Sequence, residues 1–223
     1  MLLALCWLLF GMMALAEDDG FEEFDDDPFG ELDDISGFGV EQHTFGDFRC
    51  LLNEETGDII TACYIGNDTE IVVPAEIEGH KVVGIGEGTF QFSANAAAIT
   101  SIILPEGIEF LGNSAFKLCQ SLKEIEIPEG VVRIEYGCFG GCMALEKVVL
   151  PESLEEIDDF AFAACMKLQE VEIGPNIQRI GMQAFRLCSG LRRVVLKRDG
   201  VDIADDAFDE CSEDLVFEEP AEE

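Results

Sequence analysis

The feature that most constrains the fold is an internal repeat of 23 residues that extends over residues 99–213. Five consecutive units align without a gap: ITSIILPEGIEFLGNSAFKLCQS, LKEIEIPEGVVRIEYGCFGGCMA, LEKVVLPESLEEIDDFAFAACMK, LQEVEIGPNIQRIGMQAFRLCSG and LRRVVLKRDGVDIADDAFDECSE. Two residues recur in every unit without a slip, at Phe116, Phe139, Phe162, Phe185 and Phe208, and at Cys119, Cys142, Cys165, Cys188 and Cys211. A fixed period of this length predicts a solenoid, because one coil buries its apolar face only by stacking on its neighbours.

Within each unit the apolar positions predict a strand. They fall at the first, fourth and sixth places, as in Leu122, Ile125 and Ile127, and the fifth place is often charged. That alternation indicates a strand with one buried face, which a proline then ends. A second apolar pair follows, and the phenylalanine and cysteine come last, on a short turn or helical segment. We therefore predict a right-handed α/β or mainly β repeat solenoid with a parallel sheet along one face.

Residues 45–98 predict an N-terminal β-hairpin cap and a variant first repeat, with Pro74 and Phe90 in the repeating columns. Placing Thr56 and Gly57 at the hairpin turn puts Cys50 directly opposite Cys63, in a pair whose side chains approach closely. The sequence thus predicts either a disulfide between these cysteines or two packed thiols. At the other end, residues 214–223 predict a C-terminal capping strand and an acidic tail.

The N-terminal 44 residues do not follow the repeat. Residues 1–16 are almost wholly apolar and end in Ala-Leu-Ala, which predicts a secretory signal peptide. They are shorter than the roughly 20 residues that span a bilayer, so no membrane insertion is expected after cleavage. In residues 17–34, 11 of 18 side chains are acidic, and we predict a disordered acidic linker over residues 17–44. The expected location is extracellular, either secreted or associated with the cell surface.

Charge and motif content exclude several functions. The chain has 47 acidic and 13 basic residues and a net charge of -34, which argues against nucleic-acid binding. We find no phosphate-binding loop, nucleophile elbow or metal motif, and both histidines lie outside the regular units. The sequence thus predicts a non-enzymatic protein with no catalytic residue, metal or cofactor. The five repeated cysteines and Cys138 are expected to be buried free thiols, because they occupy packing positions.

The unit LxxIxIPxxVxxIxxxxFxxC resembles the BspA-like leucine-rich repeats of bacterial secreted and surface proteins, over about residues 69–213. The resemblance implies the solenoid fold and a role in adhesion or in binding host proteins. We therefore expect a monomer that binds an extracellular protein. Two alternatives stay open at this point: a structural or spacer module with no dedicated ligand, and a glycan-binding module.

The outward positions of the first strand are the best candidates for binding. The third and fifth places of successive units supply Glu124, Glu126, Lys147, Val149, Glu170, Glu172, Arg193 and Val195. Strands in a sheet lie about 4.8 Å apart, so the third places would form a charge ladder of alternating sign. This ladder either only stabilises the sheet or forms a recognition strip. A second candidate is a basic patch that could dock the acidic tails or an anionic partner, formed by Arg179, Arg186, Arg192, Arg193, Lys197 and Arg198.

Overall fold

The repeat forms stacked coils in the computed structural model, which describes residues 40–53 and 55–218. Residues 1–39, which include the predicted signal peptide and most of the predicted linker, lie outside the described residues, as do residues 219–223 of the predicted tail. Strands account for nearly all regular structure, and the described chain contains a single short 3-10 helix, Ala96–Ala98. Of the two predicted fold classes, the mainly β solenoid is therefore the correct one.

The N-terminal cap is a three-stranded antiparallel meander. It comprises β1 (Val40–Phe45), β2 (Phe48–Asn53) and β3 (Ile59–Tyr64). The β2–β3 hairpin was predicted, but β1 begins inside the segment predicted as linker, so the linker prediction is wrong over residues 40–44. A tight turn with Gly46 at a φ of 56° brings this segment back along β2, where all six of its residues pair.

The loop of the β2–β3 hairpin is longer than the predicted two-residue turn. The amide of Asn53 donates to the carbonyl of Asp58 at 2.9 Å, and the amide of Gly57 donates to the carbonyl of Asn53 at 2.7 Å. These bonds close the loop that joins Asn53 to Asp58. The Asn53 side chain stabilises the loop by accepting a hydrogen bond from the amide of Glu55 at 2.9 Å.

This loop and a β-bulge between Arg49 and Cys50 change the pairing of the two cap cysteines. Cys50 lies opposite Thr61 on the buried face, whereas Cys63 lies opposite Arg49 on the other face and is half-buried. The predicted juxtaposition of Cys50 and Cys63 is therefore wrong, and both are free thiols in the structure. The loop shifts the pairing so that Cys50 lies opposite Thr61, two residues before Cys63. The one-residue shift at the bulge then places Cys63 on the opposite face from Cys50.

Parallel strands follow one another along one side of the solenoid, hydrogen-bonded in three short sheets rather than in the single sheet predicted, and we call them together the first-strand row. It consists of β4 (Glu70–Val72), β7 (Ser101–Ile103), β9 (Glu124–Glu126), β11 (Lys147–Val149), β13 (Glu170–Ile173), β15 (Arg193–Leu196) and β17 (Val216–Glu218). The pairs hold the register of the repeat, with Glu124 opposite Lys147 and Glu170 opposite Arg193. Because the register equals the sequence period, each column of the alignment becomes a column of side chains in space.

The second apolar pair of each unit forms a parallel strand of two residues, and we call these strands together the second-strand row. Its members are β8 (Phe110–Leu111), β10 (Arg133–Ile134), β12 (Glu156–Ile157), β14 (Arg179–Ile180) and β16 (Asp202–Ile203). At the N-terminal end, β8 pairs with β6 (His80–Ile85), which also pairs with β3 and with the short β5 (Glu76–Ile77). The cap therefore shares a sheet with β8 of the first regular coil, whereas β10, β12, β14 and β16 pair in a separate sheet.

The third side of each coil consists of turns and contains no α-helix in the described residues. Two positions in most coils adopt the left-handed conformation, with φ of 52–59° at Ser114, Gly137, Phe160 and Gln183, and 57–76° at Leu118, Gly141, Ala164, Leu187 and Glu210. A right-handed helix cannot continue through such residues. They turn the chain toward the next first strand.

The phenylalanine column forms a continuous stack through the core. Adjacent ring centroids lie 4.8–5.2 Å apart from Phe90 to Phe208, and the rings of the central coils are nearly parallel. At the C-terminal end the ring of Phe217 in β17 packs edge-on against Phe208, with centroids 5.0 Å apart. The predicted capping strand is thus present, and its aromatic ring covers the end of the stack.

The cysteine column lies beside this stack. Cys119, Cys142, Cys165 and Cys188 are fully buried, and Cys211 in the last coil is partly buried. Each later thiol donates to the carbonyl of the phenylalanine of the preceding coil, as Cys142 does to Phe116 at 3.2 Å. All five are free, as is the buried Cys138. The expectation of free thiols is confirmed for all six, although Cys211 is only partly buried.

Candidate functional site

The outward face of the first-strand row holds all eight residues predicted as binding candidates. The central residue of each strand, such as Ile125, points into the core, and its two neighbours point to solvent. Six of the candidates are exposed, whereas Arg193 and Val195 are half-buried. The outward face therefore presents two columns of side chains, one from the third and one from the fifth place of each unit.

Toward the C-terminal end of this face, charged side chains pair with one another. Arg193 forms an ion pair with Glu170 on β13, and its other terminal nitrogen lies 2.7 Å from a carboxylate oxygen of Glu218 on β17. Lys197 lies 3.4 Å from Glu172. Hydrogen bonding to the Arg193 guanidinium lowers the pKa of the Glu218 carboxyl below its usual value. In these coils the predicted ladder stabilises the sheet, which was one of its two predicted roles.

In the N-terminal coils of the same face, the predicted pairing does not form. Lys147 lies opposite Glu124 across the β9–β11 pair, yet neither makes an ion pair within 4.0 Å with any described residue, and the same holds for Glu126. The predicted alternation of charge is present in these coils, since Lys147 lies opposite Glu124, but no ion pair forms there among the described residues. In the C-terminal coils, by contrast, Arg193 bridges two carboxylates and Lys197 reaches one.

The unpaired charges surround a depression of about 430 Å³, which we call the strand-face groove. It is lined by Ser101, Ile102, Ile103, Leu104, Glu106, Glu124, Ile125, Glu126, Pro128, Lys147 and Val149. Ile103 is 57% exposed and Val149 is 37% exposed, so apolar surface is open to solvent beside the carboxylates. Four of the eight predicted candidates line this groove, and Glu170, Glu172, Arg193 and Val195 lie outside it.

The predicted basic patch is largely neutralised by acidic side chains of neighbouring coils. Arg186 lies 2.8 Å from Glu210, and Arg192 lies 3.1 Å from Asp214. Arg179, Arg193 and Lys197 are also paired with carboxylates. Arg192 and Arg193 therefore dock the acidic C-terminal segment, as one of the two alternatives for this patch predicted. Arg179, Arg186 and Lys197 instead pair with carboxylates of the coils, so they are not open to an anionic partner.

A charge network on the second-strand row was missed by the sequence analysis. Arg179 contacts Glu156 at 2.6 Å, Asp159 at 3.0 Å and Asp158 at 3.4 Å, and Arg133 contacts Asp158 from the other side at 2.7 Å. Burial opposes ionisation of Asp158, but hydrogen bonds from the Asp159 amide and from the two arginines lower its pKa below the usual value. The sequence contains a pattern that would have predicted this network. The charge at the twelfth place of the unit alternates in sign, at Arg133, Glu156, Arg179 and Asp202.

We expect Arg179→Gln to lower the free energy of unfolding by about 1 kcal/mol at low ionic strength, because it leaves Asp159 without its cation and leaves Glu156 and Asp158 with Arg133 alone. The matched control is Arg198→Gln, since Arg198 makes only a hydrogen bond to the carbonyl of Asp199. Urea denaturation in 10 mM and 500 mM NaCl measures both variants. Equal effects for the two variants would show that the network contributes nothing.

Other kinds of site have no support in the described part of the chain. No group of three or more histidine, cysteine or acidic side chains is arranged to hold a metal ion there. Among the same residues, no helix has the length and apolar character needed to cross a membrane. The strand-face groove is thus the candidate site that the geometry defines.

Stacked coils with a parallel strand face and an open groove on that face define a leucine-rich-repeat solenoid. The chain belongs to the family described as BspA type leucine rich repeat region, which it matches in six copies over residues 83–213. The matched range begins before residue 99, so it includes part of the predicted variant first repeat as well as the five regular units. The resemblance stated from the repeat unit is confirmed.

Solved structures of bacterial leucine-rich-repeat proteins have similar folds. The T. pallidum protein TpLRR is 29% identical with a TM-score of 0.64, and the match covers 70% of this chain and 72% of that one. Proteins from Bacteroides ovatus and Eubacterium ventriosum are each 22% identical, with TM-scores of 0.62 and 0.59. Those matches cover 79% and 73% of this chain but only 55% and 48% of the other chains. No curated protein matches this sequence.

Proposed function

We propose that this protein is a bacterial surface or secreted module that binds a protein partner through the strand-face groove. One observation carries the proposal: the groove combines exposed apolar side chains with charges that have no ion-pair partner in the described structure, while the neighbouring coils of the same face are paired. A surface kept only for stability would gain from pairing in every coil. Unpaired charge beside exposed apolar area is typical of a recognition surface.

A protein partner fits this groove better than a glycan. Sugar-binding surfaces use exposed aromatic rings, and the groove lining contains none. The family and the signal peptide predicted over residues 1–16 both support a location outside the cytoplasm, where adhesion to a host or neighbouring cell is the expected role. The role that we propose for the groove is binding without catalysis.

A photo-crosslinking residue placed in the groove tests this function. We expect the photoreactive side chain at Val149 to form an adduct with a protein from the surface of host or neighbouring cells. The matched control places the same residue at Met182, which is 51% exposed but lies on the turn side of its coil. Adducts are detected by gel mobility and identified by mass spectrometry.

Each outcome decides between the two leading functions. An adduct formed at Val149 and absent at Met182 supports recognition through the groove. Equal labelling at the two positions would overturn it, because the contact would then be nonspecific. Absence of any adduct from all cell types tested would support the alternative of a spacer module with no dedicated ligand.

A further inference from the structure

The strand-face groove is electrically unbalanced. Three carboxylates line it, from Glu106, Glu124 and Glu126, against the single ammonium of Lys147. None of the four makes an ion pair with another residue in the range that the structure describes. The pairing of Glu170 and Glu172 elsewhere on the same face shows that carboxylates in these columns are within reach of cations when arginine or a suitably placed lysine is present. The groove therefore has more carboxylates than cations, three against one.

Its apolar residues are placed beside those carboxylates. Ile103, Glu126 and Val149 occupy the same column in three successive coils, so an acidic side chain lies between two exposed apolar ones. Successive strands are about 4.8 Å apart, and this column therefore spans roughly 10 Å. Glu124 lies two residues before Glu126 on the same strand and on the same face.

We propose that the groove binds an arginine side chain presented by an extended segment of the protein partner. The aliphatic stem of arginine packs on Ile103 and Val149 while its guanidinium meets the carboxylates of Glu124 and Glu126. Arginine suits this site better than lysine, because its planar fork engages two carboxylates at once. Lys147 repels a cation at the β11 side and so directs the guanidinium toward β9. This inference rests on the proposed function and specifies the chemistry of the partner at the same site.

Fluorescence anisotropy with a labelled peptide tests the proposal. The probe is a short peptide with a single arginine between two leucines, compared with versions in which lysine or the neutral isostere citrulline replaces the arginine. We expect the arginine peptide to bind more tightly than the lysine peptide, and the citrulline peptide to bind about tenfold more weakly or not at all. Affinity for the arginine peptide should fall as NaCl is raised from 50 to 300 mM.

The matched variants change the same charge on the same face. Glu124→Gln combined with Glu126→Gln removes the two carboxylates of the groove, and we expect affinity to fall at least about tenfold. Glu170→Gln combined with Glu172→Gln removes two paired carboxylates outside the groove, and affinity should stay within about twofold. Circular dichroism confirms that both variants fold. An equal loss in both would reduce the effect to net charge and overturn the proposal.

Failure of this inference is separable from failure of the proposed function. If the arginine and citrulline peptides bind alike, or neither binds, the arginine assignment is wrong. Crosslinking at Val149 then decides whether the groove still binds a partner of different chemistry. If the adduct at Val149 forms and the arginine peptide does not reduce its yield, the binding function stands while the inference falls.

Discussion

Replacing Phe139 with alanine is expected to lower the free energy of unfolding by about 3–5 kcal/mol. The ring is fully buried at the middle of the phenylalanine stack, with its centroid 4.8 Å from that of Phe116 and 5.1 Å from that of Phe162. Its removal leaves a cavity between two coils that are held apart by their hydrogen-bonded strands, so the site cannot collapse. The loss includes the transfer free energy of the ring and the stacking contacts on both of its faces.

A phenylalanine at the end of the stack provides the control for this substitution. Phe208 is only partly buried in the last complete coil, and Phe208→Ala should cost about 1–2 kcal/mol. Urea denaturation followed by far-UV circular dichroism measures both. In a solenoid each coil contacts mainly its neighbours, so Phe139→Ala should also broaden the transition as the two halves become uncoupled. Equal costs at the two positions would contradict the continuous stack.

The inward-facing part of this fold was predictable because it repeats. Phe116, Phe139 and Phe162 occupy one column of the sequence alignment, and the parallel register of the coils turns that column into a stack. The same reasoning placed the central residue of each first strand in the core and the repeated cysteines beside the phenylalanines. Because five units repeat the same apolar pattern, an exception in one unit does not hide which positions face the core.

The cap was less predictable because it occurs once. The prediction for Cys50 and Cys63 depended on the exact length of a single turn and on an unbroken register, and a longer loop together with one β-bulge at Arg49 separated them. Neither the bulge nor the loop closed by Asn53 has a distinctive sequence signal. β1 was missed for a related reason, since its residues VEQHTF alternate weakly and follow an acidic segment.

The groove was only partly predictable from the same columns. The alignment identified the outward residues, including Glu124, Glu126 and Val149. It placed Lys147 and Arg193 in the same column, however, and so predicted the same ion pairing for both. In the structure Arg193 pairs with carboxylates on both sides, and Lys147 pairs with none within the described residues. Which part of the face forms ion pairs depends on whether each charged side chain can reach an opposite charge. The repeat period of the sequence carries no information on that distance.

The buried thiols make alkaline unfolding the other large expected effect. Desolvation raises the pKa of Cys119 to about 12 and that of Cys50 to about 11, and it also raises the pKa of Cys142 and Cys165. In the unfolded chain these thiols ionise near a pKa of about 8.5. Among the cysteines that the structure describes, six are buried: Cys50, Cys119, Cys138, Cys142, Cys165 and Cys188.

The direction of the pH effect on stability follows from how many protons the folded and the unfolded states bind. Below about pH 8.5 the thiols are protonated in both states, so their contribution to stability is fully present. Above that pH the unfolded chain releases protons that the folded protein retains, which favours unfolding by about 1.4 kcal/mol per pH unit for each thiol. Six thiols together give ~8 kcal/mol per pH unit, comparable to the whole stability of a typical domain. We therefore expect the reduced protein to unfold between about pH 9 and pH 10.

Cys165→Ser isolates one thiol from the other alkaline effects. Serine occupies the same column in the first coil, where Ser93 is 7% exposed, and its hydroxyl does not ionise in this pH range. At pH 7 the variant should be less stable than the parent by about 1 kcal/mol, since a more polar group is buried. At pH 10 the order should reverse, because the parent alone carries the ionisation penalty, about 2 kcal/mol, at this position. Two measurements under reducing conditions test this: the urea midpoint at pH 7 and the pH at which half of each protein is unfolded without urea. The variant should have the lower urea midpoint and the higher pH midpoint, and a parent that is the more stable by both measures would show that burial of the thiol does not govern its ionisation.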